Sequence, residues 1–333
     1  MKAALYTRYG PPEVVQLANT DKPTPTEKQV LLRVRAASIN PYDWHFMRGL
    51  PYGVRLAAGF SKPKDPRLGV DVSGVVDSVG ASVTQFRPGD PVFGSCRGAF
   101  AEFACAQESA IVAKPSNITF EQAAAVPIAA LTALQGLRLG GLDANTPPIQ
   151  PARKVLVNGA SGGVGTFAAQ IAHSFGAEVT GVCSTRNLEL VFQLGATRVI
   201  DYTRENFTKT IPRTPIRYDI FFDAVGNHSL SACTRVLNST GVYIPAGGTT
   251  DNFMFRPLAR ALSALLQSKL RRPRLIPFFV AKSSQADLAI LQKLLSTGKV
   301  TPVIDRQYPL ADISEAIRYL ETGHARGKVI LTP

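Results

Sequence analysis

The run Val155-Leu156-Val157-Asn158-Gly159-Ala160-Ser161-Gly162-Gly163-Val164-Gly165 constrains this chain more than any other. A short branched, apolar stretch passes through a glycine-dense turn. Beyond it Val164, Phe167, Ala168, Ile171, Ala172 and Phe175 recur at helical spacing and stop at Gly176. Strand, tight turn and amphipathic helix in that order predict a βα unit of a parallel sheet. The turn follows the dinucleotide fingerprint GxGxxG, with Ala160 at its first glycine position. Gly162 would let backbone approach a pyrophosphate, and Gly165 would let helix and strand pack closely. The N–H groups and positive end of the helix would then hold phosphate. A lone glycine motif is a weak signal, but this one stands inside a repeating βα pattern.

That pattern continues downstream. Glu178–Cys183 reads as the next strand, 187–194 as a helix closed by Gly195, and 197–200 as a third strand. Residues 218–224 and 241–246 read as two more. An NAD site wants an acid after the second strand for the ribose hydroxyls. Here Cys183-Ser184-Thr185-Arg186 supplies two hydroxyls and a cation instead, which suits a 2′-phosphate. NADPH is therefore expected over NADH.

Before residue 120 the character is β-rich, with short branched runs such as 2–6, 30–37 and 74–79 bounded by Gly-Pro turns. Residues 48–69 form a long irregular stretch, of the kind often used as a lid or binding loop. Residues 120–139 are helical in composition behind Thr119 as N-cap, and 143–153 read as a proline-marked loop. At the end, 284–297 is a helix opened by Ser284-x-x-Asp287, 312–322 is another, and 328–331 is a closing strand.

Composition removes whole classes. The 333 residues suggest roughly two domains. With 45% hydrophobic and 18% charged residues there is ample material for packed cores. No apolar run reaches the ~20 residues of a membrane span; the longest, 123–134, is broken by Pro127. No cleavable apolar leader is visible, so a cytoplasmic location is the default, with an organelle left open. The net charge of +13 is spread thinly and carries no nucleic-acid module, so nucleic acid is not expected as a partner. Cys96, Cys105, Cys183 and Cys233 have no zinc spacing and read as free thiols.

The chain resembles the medium-chain dehydrogenase/reductase superfamily, and within it the zinc-free quinone oxidoreductase (zeta-crystallin-like) branch. The resemblance spans almost the whole chain. It rests on Ala37-Ser38-Ile39-Asn40-Pro41-Tyr42-Asp43, on Gly69-Val70-Asp71-Val72-Ser73-Gly74 and on Pro88-Gly89-Asp90. Further on it rests on Ala129-Ala130-Leu131-Thr132-Ala133, the glycine turn, Val199-Ile200-Asp201-Tyr202 and Gly323-His324-Ala325-Arg326-Gly327-Lys328. The fold implied is α/β: a Rossmann parallel-sheet domain, 126–272, inserted in a GroES-like β-barrel catalytic domain, 1–125 completed by 273–333. Zinc-dependent relatives carry Cys where this chain has Asn40 and His where it has Val70, and the lobe for structural zinc is missing. No metal is expected.

Without a Lewis acid the expected reaction is hydride transfer from NADPH to a quinone or an α,β-unsaturated carbonyl. The resemblance puts Asn40, Tyr42, Asp43 and Tyr52 at the nicotinamide and substrate end, as donors to the developing oxyanion or as wall residues. A proton would come from Tyr42, Tyr52, His45 or water. For the cofactor it implies Ser161, Gly162, Gly163 and Val164 at the pyrophosphate, and Ser184, Thr185, Arg186 and Tyr202 at the adenosine phosphate. It implies Asp223 near the ribose or adenine, Gly247 and Phe279 near the nicotinamide half, and Arg326, Gly327 and Lys328 returning from the C-terminus. Dimerisation is a further implication.

The rivals are a 2-enoyl thioester reductase or zinc-free alcohol dehydrogenase of the same fold, and a non-catalytic NADPH-binding protein at a membrane surface. For the last, the cations Lys269, Arg271, Arg272 and Arg274 beside Leu275-Ile276-Pro277-Phe278-Phe279 would give weak docking on anionic lipid.

Overall fold

The computed structural model describes residues 1–144, 151–247, 273–276 and 279–333. The chain divides into two units, Met1–Leu131 with Lys282–Pro333, and Thr132–Ala281. The expected joints at 125/126 and 272/273 stand a few residues upstream of these.

The first unit opens with strands β1 (Lys2–Tyr6), β2 (Val15–Asn19) and β3 (Gln29–Ile39), then helices α1 (Pro41–Arg48) and α2 (Gly53–Ala58). Strands β4 (Asp71–Val79), β5 (Pro91–Ser95), β6 (Phe103–Gln107) and β7 (Ile111–Ala113) follow, then α3 (Phe120–Ala124), and α4 (Pro127–Leu139) runs on from the first unit into the second. The predicted single helix over 120–139 is thus two helices. Pro127 has no N–H to give to a continuing helix and its ring clashes with the preceding turn, so it begins a new one. Thr119 caps α3 as expected: its hydroxyl accepts the Gln122 N–H, and the Gln122 side chain accepts the Thr119 N–H. The irregular stretch 48–69 contains α2, which its Pro and Gly content concealed.

The second unit carries β8 (Lys154–Asn158), α5 (Gly163–Ser174), β9 (Glu178–Cys183), α6 (Leu188–Gln193) and β10 (Arg198–Asp201). It continues with α7 (Phe207–Thr210), β11 (Tyr218–Asp223), α8 (Leu230–Thr234), β12 (Leu237–Pro245) and β13 (Arg274–Leu275). The chain then returns to the first unit with α9 (Gln285–Ser296), β14 (Ile304–Pro309), α10 (Ile313–Glu321) and β15 (Lys328–Thr332). Ser284 caps α9 by accepting the Asp287 N–H.

In the second unit six strands lie in the order β10-β9-β8-β11-β12-β13, every pairing parallel. That is the doubly wound dinucleotide-binding order. Leu156, Val182, Ile200, Phe221 and Tyr243, one from each of five strands, meet in one buried cluster. The sixth strand corrects one expectation and weighs against one of the rival readings. Arg274 and Leu275 pair with Val242 and Tyr243, so residues 273–276 belong to the nucleotide-type sheet and not to the barrel unit. Leu275 and Ile276 are buried in its core, so they are not available as a membrane-docking face. Lys269, Arg271, Arg272, Pro277 and Phe278 lie outside the described residues.

The first unit's main sheet runs β14-β15-β3-β4-β5-β7, with β6 also pairing β3. The eleven residues of β3 make it the spine. Ala36, Ala124, Ala125 and Ile330 pack together, and the small side chains of the three alanines let α3 lie close on β3 and β15.

Candidate active site and nucleotide site

The register of β3 assembles the first unit's polar centre. Ser38 pairs with Asp71 on one side and Ile330 on the other, and Ile39 pairs with Val329. Asn40, the next residue, therefore has the start of β4 and the start of β15 flanking it. Asn40, Asp43, Asp71 and Lys328 are all buried, at 2%, 2%, 0% and 4% exposure. The Asn40 Nδ2 donates to Ser38 O at 3.1 Å and to Asp71 Oδ2 at 2.9 Å. Its Oδ1 accepts from Lys328 Nζ at 2.5 Å. Lys328 Nζ lies 3.8 Å from Asp71 Oδ2. The other Asp71 oxygen accepts the Ile128 N–H at the start of α4, at 3.0 Å. Asp43 Oδ2 accepts the Asn40 N–H at 2.8 Å, closing the first turn of α1.

These groups carry three formal charges in a dry place. Burial pushes the Asp43 carboxyl up to about 7, and the neighbouring Asp71 adds to it. Burial likewise raises Asp71 to about 6, opposed by the Lys328 ammonium. Lys328 is held below the ordinary lysine range by burial, against the attraction of Asp71 and Asp43.

This geometry fixes the roles of four residues. Asn40 has both amide hydrogens and its oxygen committed to protein groups, so it has no donor left for a substrate oxyanion. Asp43 is a helix cap. Lys328, expected among the cofactor residues, stands with Asn40 and Asp71. Asp71 was visible only as part of a motif and proves to be the hub; its partners Asn40 and Lys328 stand 31 and 257 positions away in sequence, which no local pattern reveals. Together the four fix the start of α1, where Tyr42 stands one residue behind Pro41. At the other end of α1, Arg48 Nη2 meets Glu321 Oε2 of α10 at 2.8 Å.

The tyrosines fare differently. Tyr42 is 43% exposed, rests on Phe46 with ring centroids 4.3 Å apart, and has its phenol pushed up by burial, so it keeps its proton. Tyr52 is 56% exposed with the Arg55 guanidinium 4.9 Å from its ring centre. His45 packs on Trp44, and burial lowers its imidazole to about 4. It is neutral near pH 7 and ill suited to deliver a proton.

In the second unit the glycine turn solves its missing first glycine one residue early. Gly159 takes the left-handed conformation, φ +80°, and it and Ala160 both donate to Val182 O. At Gly165 an added Cβ would lie 2.0 Å from Gly159 O, so only glycine lets α5 begin there. At Gly162 the nearest atom would be 3.4 Å away, ordinary contact. The first i−4 bond of α5 runs from Thr166 N–H to Gly162 O. The N–H groups of Gly163 and Val164 precede it; among the described residues they have no acceptor, and they are the donors a helix start offers an anion.

Around this turn the carboxyl ends of the strands carry polar side chains. Ser184 follows β9, and Tyr202, 55% exposed, follows β10 with its N–H on Cys183 O. Arg186 is exposed. Thr185 departs from expectation: its hydroxyl is bonded to Asp201 Oδ2 and Thr203 Oγ1. Asp201 also takes the Thr203 N–H and hydroxyl and pairs with Arg204, and the hydrogen bond from Thr185 holds it below the usual carboxylate range. Those bonds occupy this acid, which pairs with Cys183 across the sheet. Asp223 is fully buried: it accepts from Asn158 Nδ2 at 2.9 Å, from Tyr243 OH at 2.8 Å and from the Val225 and Gly226 N–H groups. It is a cross-strand anchor that shapes the loop after β11. Gly247 runs so close to that loop that an added Cβ would lie 2.1 Å from Ala224 O. Phe279 is half-buried near Gly136. In the first unit, Arg326 N–H donates to Asp305 Oδ2 and Gly327 has φ +93°.

The residues do not fit zinc at the place where zinc-dependent relatives bind it. Neither an amide already bonded three ways, at Asn40, nor the hydrocarbon of Val70 can serve as a zinc ligand. Among the described residues, no three His, Cys, Asp or Glu side chains converge to hold a metal. Nor does any described helix have the length and apolar character to cross a membrane.

Comparison with known proteins agrees with this architecture. Residues 26–116 match the alcohol dehydrogenase GroES-like domain, and residues 194–331 match a family described as zinc-binding dehydrogenase. The 2-methylene-furan-3-one reductase of Solanum lycopersicum is 35% identical over 100% of this chain and 79% of its own length. The chloroplastic NADPH-dependent alkenal/one oxidoreductase of Arabidopsis thaliana is 34% identical, over 100% of this chain and 80% of its own. The structure of the quinone oxidoreductase from Coxiella burnetii superposes with a TM-score of 0.83 at 30% identity, covering 100% of this chain and 99% of that one.

Proposed function

The chain belongs to the quinone oxidoreductase branch of the medium-chain dehydrogenase/reductase superfamily, and on that footing we propose that it moves hydride from NADPH to a quinone or an α,β-unsaturated carbonyl without zinc. The observation that carries the reading is the strand, glycine turn and helix of the second unit, with only ordinary contact at Gly162 and, among the described residues, no acceptor on the Gly163 and Val164 donors. NADPH, when bound, supplies the hydride. Gly162, Gly163, Val164 and Ser161 hold its pyrophosphate; Ser184, Arg186 and Tyr202 hold the adenosine 2′-phosphate. Asp223 and Gly247 shape the loops on which the nicotinamide half rests, with Phe279 as an apolar wall.

The protein's own part in the chemistry is placement and a proton. Tyr42 is the group for the acceptor oxygen: it is exposed, still protonated, and mounted on a helix start that the Asn40–Asp43–Asp71–Lys328 network holds rigid. Tyr52 is the second candidate donor. Because the metal-ligand positions are filled by an amide and a hydrocarbon, an already electron-poor acceptor suits this site better than a simple alcohol. The match described as zinc-binding dehydrogenase covers neither Asn40 nor Val70. A cytoplasmic homodimer completes the reading. Light scattering on the purified chain tests the dimer, and fractionation tests the location, one relative being named as chloroplastic.

The deciding experiment follows NADPH oxidation with a panel of quinones, 2-alkenals and enones, with NADH alongside and with a zinc chelator in a parallel set. Turnover of conjugated acceptors that survives chelation is expected. Nucleotide binding without turnover overturns the catalytic reading, and loss of turnover on chelation overturns the zinc-free one.

A further inference from the structure

Asn187 closes the short turn after β9 and was no more than the first residue of a predicted helix. It is 5% exposed. Its Nδ2 donates to Ser161 Oγ at 3.0 Å and to Ser184 Oγ at 3.2 Å, so one amide ties the glycine turn to the end of β9. Its backbone N–H donates to Ser184 O at 2.9 Å, which locks the residue to the same strand end. Its Oδ1 is buried with no partner among the described residues.

The direction of these bonds matters. A serine hydroxyl has a single hydrogen to give. Both serines act as acceptors toward Asn187, and among the described residues neither O–H has a protein acceptor. Turning the amide over would let both serines donate to Oδ1, but it would bury two N–H donors where one carbonyl is now buried, the costlier arrangement. The amide thus spends both hydrogens on keeping two hydroxyls as uncommitted donors. Two such donors at the carboxyl ends of adjacent parallel strands, near a helix N-terminus, suit phosphate oxygens, which accept and never donate when ionised.

We propose that Asn187 is a positioning residue that holds Ser161 and Ser184 as donors to the cofactor's phosphates and so sets the preference for the 2′-phosphorylated nucleotide. The inference rests on the NADPH reading above. Ser161 serves the pyrophosphate that NADPH and NADH share; Ser184 serves the 2′-phosphate that NADPH alone carries. Removing the amide therefore harms NADPH binding more than NADH binding.

The test measures the Kd of NADPH and NADH by fluorescence titration on the full chain and its variants. Asn187→Ala should weaken NADPH about tenfold, the scale of one charge-assisted hydrogen bond, and NADH severalfold less. Asn187→Asp keeps the shape but accepts from both hydroxyls and adds a negative charge, so its loss for NADPH should be larger. In a Ser184→Ala background, Asn187→Ala should cost NADPH no more than it costs NADH. Equal losses for both nucleotides, or an undiminished NADPH loss in that background, would mean that Asn187 merely props up the turn. If Asn187→Ala does not fold, Asn187→Asp and Asn187→Ser carry the same comparison. A wild type that binds NADH as tightly as NADPH overturns the NADPH reading itself; a wild type that prefers NADPH and Asn187 variants that keep the preference overturn only this inference.

Discussion

Replacing Lys328 by Met keeps the length and most of the apolar stem while deleting the one ammonium in the first unit's buried centre. Lys328 and Asp71 are 4% and 0% exposed, with Nζ and Oδ2 3.8 Å apart. Removing one partner of such a pair strands the other charge, which costs about 3–5 kcal/mol. For a unit of this size that corresponds to a fall in Tm on the order of 10 °C. The loss must depend on pH. In the wild type the folded-state values of Asp71 and Asp43 are raised, to about 6 and about 7. A raised carboxyl binds its proton more tightly in the folded state, so its stabilising contribution is complete below the unfolded value and fades as pH rises through the folded one. The slope is at most about 1.4 kcal/mol per pH unit for each group. Without the ammonium both carboxyls rise further, and the penalty concentrates above pH 7. At about pH 5 they are protonated and Lys328→Met loses little beyond its hydrogen bond to Asn40. Scanning calorimetry of wild type and variant from about pH 5 to about pH 8 should show Tm curves that diverge with rising pH. At pH 8 the double variant with Asp71→Asn should be more stable than Lys328→Met alone. An equal loss at both ends of the range would refute the argument, because Lys328 would then act through packing alone.

Gly165→Ala should lose more than 3 kcal/mol of stability together with nucleotide binding, since its Cβ would lie 2.0 Å from a backbone oxygen; urea unfolding reads the first and NADPH fluorescence the second. Gly162→Ala, whose Cβ has ordinary contact only, should keep the wild-type Tm within a few degrees and still weaken NADPH, a split that a purely structural turn would not show. Tyr243→Phe removes a 2.8 Å bond to the buried Asp223 and should cost about 1.5–3 kcal/mol in urea unfolding. His45, lowered to about 4 by burial, should show no NMR titration until below pH 5; its depressed value gives stability that is present above its unfolded pKa of about 6.5 and lost as pH falls toward 4. Tyr42→Phe should lower kcat with conjugated acceptors while leaving the NADPH Kd within twofold, measured by steady-state kinetics and titration.

Much of the fold was legible from local pattern. The alternation from β8 to β12 and the stops at Gly176 and Gly195 follow from periodicities that each segment carries within itself. Where the reading slipped, the reason lay outside the segment. Pro127 split one predicted helix into two, and just two residues, Arg274 and Leu275, became a strand because β12 offered them an edge.

The site divides along the same line. Sequence alone determined the glycine turn and the hydroxyls and cation after β9, because a turn's backbone demand and a side chain's chemistry are local properties; that an amide and a hydrocarbon stand where relatives bind zinc came from the family resemblance. Tertiary structure alone decided what those groups can do. Asn40 looked like a donor until the register of β3 between β4 and β15 gave its amide to Asp71 and Lys328. Thr185 looked like a phosphate ligand until Asp201 took its hydroxyl, and Asn187 carried no signal until the turn and the strand end met across it. A hydrogen has one direction at a time, and which partner receives it depends on residues that only folding brings within 3 Å.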